Sequence, residues 1–211
     1  MSARRTDESP GGKVAPQSAR GAGRKDGWSM GKVAVCMADG CEEIEGLTVV
    51  DLLRRVKIDA EMVSVSADRR VTGSHGIAFE ADTTADAADW DSYAAIILPG
   101  GMPGTLNLKK NERVRAAVKA FDREKKLVAA ICAAPTVLAD CGVLEGRAAT
   151  CYPGLEGQLA GAEFRTDSVV LDGHVLTSRG VGTAIPFALA VAAYLKDRKT
   201  ADELAKSIVY A

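Results

Sequence analysis

The sequence predicts an α/β domain built on a mainly parallel sheet, and three observations carry that prediction. Short unbroken apolar runs at residues 33–37, 94–98 and 127–131 read as strands buried on both faces. The segments between them space their apolar residues as helices do, and strand–helix alternation of this kind is the pattern of a parallel sheet covered on both sides. At 211 residues and 47% hydrophobic, the chain suits one domain with a sizeable core.

The elements follow in order from Gly31. Residues 32–37 form the first strand, and 43–55 a helix whose Ile44, Leu47, Val50, Leu52 and Leu53 are expected to make one apolar face. Residues 61–66 are a second strand. The runs 70–72 and 77–80, separated by Gly73-Ser74-His75-Gly76, suggest a hairpin. The strand 94–98 ends in Pro99-Gly100-Gly101, a helix covers 111–124, and the strand 127–131 leads to Cys132. A helix at 133–140 carries Pro135 in its first turn, where proline is tolerated. A strand at 148–151, a strand pair at 169–171 and 175–177, and helices at 183–196 and 201–207 complete the domain. The longest apolar stretch, 184–195, is too short to span a bilayer and contains Pro186, so it reads as a core helix.

Residues 1–30 differ in kind. They are rich in Ser, Gly, Arg and Lys, show no periodicity, and are expected to be a disordered extension to a domain at 31–211. The apolar middle of a secretory signal is missing, and Asp7, Glu8 and Asp26 sit poorly with an organelle transit peptide.

Composition excludes several function classes. A net charge of −1 without a basic stripe argues against nucleic acid as the principal partner. The five cysteines, at 36, 41, 132, 141 and 151, form no CxxC pair, and with two histidines in separate turns no zinc motif can be assembled. A reducing, cytoplasmic setting is expected, with no membrane partner.

Cys132 is the chief candidate for chemistry. A buried strand delivers it to the carboxyl edge of the sheet just before a helix, whose free N–H groups would favour the thiolate and lower its pKa. The competing reading is a small buried hydrophobe, since free cysteine is among the most buried residue types. Two other loops reach the same edge, Asp39-Gly40-Cys41-Glu42-Glu43-Ile44-Glu45 and Gly100-Gly101-Met102-Pro103-Gly104. If the three meet, a carboxylate, a run of backbone N–H groups and a thiolate share one pocket, the parts needed to add a thiolate to a carbonyl and hold the oxyanion. Glu42 and Glu43, opening a helix, are expected only to serve its dipole. His75 and His174 lie in turn sequences and are expected at the surface.

Glu42-Glu43-Ile44-Glu45, Leu98-Pro99-Gly100-Gly101, residues 129–135 around Cys132, and Leu176-Thr177-Ser178-Arg179-Gly180 together resemble the ThiJ/PfpI superfamily, and within it the Parkinson-disease deglycase branch. The resemblance runs from about Lys32 to Tyr210. It implies a flavodoxin-like α/β/α sandwich with a nucleophile elbow, a homodimer, a nucleophilic Cys132, and a protonated Glu45 that donates a hydrogen bond to the sulfur. It implies an oxyanion pocket from the N–H groups of Gly101 and Ala133, with Gly100, Tyr152, Arg179 and Gly180 at the binding site. The activity implied is attack on a 2-oxoaldehyde or a glycated substrate, with no cofactor, metal or glutathione. A redox-sensing or chaperone-like role, with the same cysteine oxidised to sulfinate, is the alternative. One departure stands out: where several members carry a histidine near the cysteine, this chain has Tyr152. A phenol is a poor general base at neutral pH, which weakens a peptidase reading.

Overall fold

A computed structural model describes residues 31–210. The expected disordered extension at 1–30 lies outside the described residues. Among the described residues, eleven strands and six α-helices follow one another as β1 Lys32–Met37, α1 Glu43–Arg55, β2 Ala60–Ser64, β3 Arg70–Thr72, β4 Ala78–Glu80, β5 Thr83–Thr84, β6 Tyr93–Leu98, α2 Gly104–Lys110, α3 Glu112–Arg123, β7 Leu127–Ile131, α4 Pro135–Asp140, β8 Ala148–Ala149, β9 Glu163–Phe164, β10 Val169–Asp172, β11 Val175–Ser178, α5 Ala184–Leu195 and α6 Arg198–Ser207.

Seven strands make the central sheet in the order β10-β11-β7-β6-β1-β2-β5. Every pairing is parallel except β10 with β11, which form an antiparallel edge. Alternation along each strand then divides the core in two, because successive side chains point to opposite faces. Val33, Val35 and Met37 of β1 pack with Val49 and Leu53 of α1, Phe187 and Val191 of α5, and Leu204 of α6. Ala34 and Cys36 face the other way, toward Leu108 of α2, Val118 and Phe121 of α3, and Leu138 of α4. The result is the flavodoxin-like three-layer sandwich. No helix among the described residues is long and apolar enough to cross a membrane.

The structure revises several expectations. The helix α2 was not foreseen, and the helix after Cys132 begins at Pro135, where proline fits the first turn. The 148–151 segment contributes only β8, which pairs with β9 in a separate two-stranded sheet. Ile44 is 53% exposed while Glu43, Glu45 and Gly46 are buried, so the inner face of the first turn of α1 is polar. His174 is not a surface residue. It is 7% exposed, and its Nε2 lies 2.8 Å from Asp122 Oδ1, an oxygen that Arg147 also engages at 2.7 Å.

Candidate active site

Parallel β6 and β7 end side by side, and this register brings the glycines after β6 against the cysteine after β7. Cys132 has φ +65°, a left-handed conformation unusual for a residue with a side chain, and its backbone is held at both ends. Its N–H donates to Ser178 O at 3.0 Å and its carbonyl accepts from Tyr152 N at 2.7 Å. This is a sharp strand-to-helix elbow that leaves the thiol partly exposed.

Gly100 and Gly101 are glycines for different reasons. A Cβ on Gly100 would stand 2.6 Å from Cys132 Cβ and 2.9 Å from Glu45 Oε2, so the backbone approaches the pair only because nothing is there. Gly101 has φ +87° and packs against the backbone of Cys41 and Glu42. The backbone N–H groups of Gly101 and Ala133 favour the thiolate form of Cys132.

Glu45 projects from the first turn of α1 into this junction and is fully buried. Its Oε2 accepts the Gly100 N–H at 2.9 Å, whereas Oε1 is buried without a partner in hydrogen-bonding position; the carboxyl's remaining polar interaction is with the Cys132 thiol. Burial pushes the carboxyl up to about 7, and the charge of Glu42 adds to the rise against the lowering effect of Gly100 N–H and Cys132. Burial, followed by the charge of Glu45 and their hydrogen bond, pushes the Cys132 thiol up to about 12, against the pull of the Gly101 and Ala133 N–H groups. The lowered thiol expected from the helix dipole is therefore not found. Desolvation and a neighbouring negative charge outweigh the partial charge of the short α4, and a proton on Glu45 removes that neighbouring charge.

A cavity of about 470 Å³ opens over the pair, lined by Glu42, Glu45, Cys132, Tyr152, Arg179 and Gly180 among others. Arg179 and Gly180 are set in its wall by Thr183, whose Oγ1 accepts both their N–H groups at 3.2 and 3.1 Å. The Tyr152 ring borders Gly180, and a side chain there would meet it at 3.4 Å. Cys132, Glu45, Gly100, Ala133, Tyr152, Arg179 and Gly180 thus meet at one place, whereas His174 lies elsewhere. A second depression, bordered by Arg54, Asp59, Glu61 and Asp82, holds no nucleophile.

The model of the DJ-1/PfpI family matches residues 31–194. The chain belongs to that family. It is similar to Drosophila melanogaster protein dj-1beta, 35% identical over 179 residues that cover 84% of this chain and 96% of the relative. It is also 35% identical to a protein of Thermococcus kodakarensis named deglycase TK1284, over 72% of this chain and 91% of that one. Among solved structures, Toxoplasma gondii DJ-1, described as oxidized, superposes with a TM-score of 0.83 at 34% identity, covering 86% of this chain and 99% of its own.

Within this DJ-1/PfpI site the sequence reading overlooked two acidic residues. Glu42 lines the cavity instead of merely facing a helix dipole. Glu43 is buried and bound to His75, which comes from the β3–β4 hairpin and stays exposed as expected. The signal was present only as a glycine-flanked histidine in a turn. Among the described residues, Glu42, Glu43 and His75 are also the one group whose ligand atoms lie close enough together, within 4.8 Å, to share a metal ion. Their mutual hydrogen bonding and ion pairing already account for that proximity.

Proposed function

We propose that this protein is a cysteine-dependent enzyme of reactive-carbonyl detoxification, of the glutathione-independent glyoxalase or deglycase type. The observation that carries the reading is the buried Glu45 carboxyl, with one oxygen unpartnered, sharing a cavity with a cysteine held at φ +65° on a strand-to-helix elbow. The thiolate adds to the aldehyde carbon of a 2-oxoaldehyde; a C–S bond forms and the carbonyl electron pair moves to oxygen, near the N–H groups of Gly101 and Ala133. Protonation gives a hemithioacetal. Glu45, as carboxylate, takes the proton from the former aldehyde carbon and returns one to the neighbouring carbon, so an enediol becomes the thioester of a 2-hydroxy acid. Water cleaves the thioester, releases the hydroxy acid and restores the thiol. The deglycase name of the Thermococcus relative is consistent with the same thiolate acting on glycated amines or thiols.

A second reading, redox sensing with Cys132 oxidised to sulfinate, is favoured by the oxidized state described for the Toxoplasma neighbour. Two equivalents of peroxide would each transfer one oxygen to the sulfur and leave as water. We further propose that the enzyme works as a homodimer, because Ile44 and Ile77, 53% and 56% exposed, are large apolar residues left uncovered on α1 and the hairpin. All five cysteines are unpaired, which agrees with a reducing cytoplasmic setting.

Incubation with methylglyoxal, followed by enantioselective measurement of lactate, tests the enzymatic reading. Lactate formation by the wild type and none by Cys132→Ala is expected. No lactate above the Cys132→Ala level, together with selective addition of two oxygens to Cys132 by intact mass under mild peroxide, would favour the sensor.

A further inference from the structure

The β3–β4 hairpin is tied to the entrance of α1 by a set of specific bonds. Gly40 N donates to Thr72 O at 2.8 Å, Thr72 N to Asp39 Oδ1 at 2.9 Å, and Ser74 N to Cys41 O at 2.8 Å. At Gly73 any side chain would run into the Glu43 carboxyl. Glu43 Oε1 accepts the N–H groups of His75 and Ile77 at 2.8 and 3.4 Å, and Oε2 lies 3.0 Å from His75 Nδ1. These bonds fix an otherwise exposed imidazole at one spot. That spot is beside Glu42, whose Oε2 is 3.5 Å from His75 Nδ1 and 3.5 Å from Ser74 Oγ. Glu42 in turn lines the Cys132 cavity with a side chain only 12% exposed, and its charge acts on Glu45.

We propose that His75 is a positioning residue for the thiol chemistry: anchored by Glu43, it seats the Glu42 carboxylate in the cavity wall and screens that charge from Glu45 and Cys132. The inference rests on the reading of Cys132 as the nucleophile. Once Glu45 and Cys132 have lost their first proton they share one negative charge, and a second negative charge at Glu42 opposes that loss. A cationic imidazole against Glu42 offsets the opposition; a neutral one does not. The hydrogen bond to Glu43 and the charges of Glu42 and Glu43 raise His75 above the ordinary histidine value, which widens the pH range of the cation. The other ionisable groups near this arrangement are Asp39 and Cys41 before α1, Glu45 within it, and Cys132, Tyr152 and Arg179 at the cavity.

The test is the rate of Cys132 alkylation by iodoacetamide against pH, read by intact mass with Cys132→Ala as the blank. His75→Asn should slow alkylation near pH 6 by about threefold, the size expected of one partly screened charge, and move the profile to higher pH. His75→Lys and His75→Arg, which keep the charge, should restore the wild-type rate even if they lower the melting temperature. In a Glu42→Gln background the effect of His75→Asn should largely vanish. A His75→Asn profile identical to wild type, or a shift of the same size without the Glu42 carboxylate, overturns the role of His75 and leaves the thiolate reading standing. A wild-type rate that does not change with pH overturns both.

Discussion

Gly100 and Cys132 face each other so closely that a methyl group on the first would lie 2.6 Å from the Cβ of the second. The contact explains how the Cys132 elbow, at φ +65°, fits against this loop: Gly100 carries no side chain, which lets the elbow in. Gly100→Ala should therefore push the elbow and Glu45 apart. We expect a loss of about 1–3 kcal/mol in urea unfolding, as for overpacked cores, with a larger relative loss of Cys132 reactivity. Wild-type stability and reactivity in Gly100→Ala would contradict this packing.

Glu45 gives stability a pH dependence on the neutral side. Its carboxyl is raised from 4.5 to about 7, so the stability of the fully protonated Glu45–Cys132 pair is complete below 4.5 and is lost as the pair gives up its first proton, with pH climbing through about 7. Glu45→Gln, which is neutral at every pH, should remove a decline on the order of 2–3 kcal/mol over that interval. Denaturant melts of both proteins across the window measure it.

Glu43 works in the opposite sense. Burial alone would raise it, but the hydrogen bonds from the His75 side chain and from backbone N–H groups, including those of His75 and Ile77, prevail and hold it at about 2. Its stabilisation is complete above 4.5 and is lost as pH falls through about 2. Glu43→Gln should lower the melting temperature at pH 7 by several degrees and leave the two proteins alike near pH 2. Equal losses at both pH values would show a packing effect instead of a charge effect.

The proposed dimer rests on Ile44 and Ile77, and Ile44→Asp with Ile77→Asp should yield monomers in light scattering at micromolar concentration. A wild type already monomeric under those conditions would reject the proposal.

The strand–helix order and the place of Cys132 were legible because both are local. A run such as Leu127–Ile131 declares a buried strand by composition, and a cysteine immediately after it must emerge at the sheet edge. What escaped depends on contacts distant in sequence. His75 and Glu43 are 32 positions apart, and no periodicity announces that a hairpin will fold onto a helix entrance. The same holds for His174, whose turn sequence suggested exposure until Asp122, 52 residues earlier, was seen to enclose it. Ile44 misled in the other direction. Its apolar character fitted a helical face, yet the inner positions of that turn went to Glu43 and Glu45, and only the assembled sheet shows why carboxylates belong there. Glu45 itself became a candidate through its motif, because nothing in its own helix distinguishes it from a solvated acid.

The central claim is that the Glu45–Cys132 pair keeps its proton on oxygen and its charge on sulfur. Ultraviolet thiolate absorbance followed against pH, with Cys132→Ala subtracted to remove the other four cysteines, tests it most directly. The account predicts thiolate well below the free-cysteine value of about 8.5 in the wild type, and a marked shift upward in Glu45→Leu, which has lost the donor but kept the burial. Thiolate appearing only near 12, the pair's first proton near 7 having left the carboxyl and not the sulfur, would contradict it and return Cys132 to the status of an ordinary buried thiol.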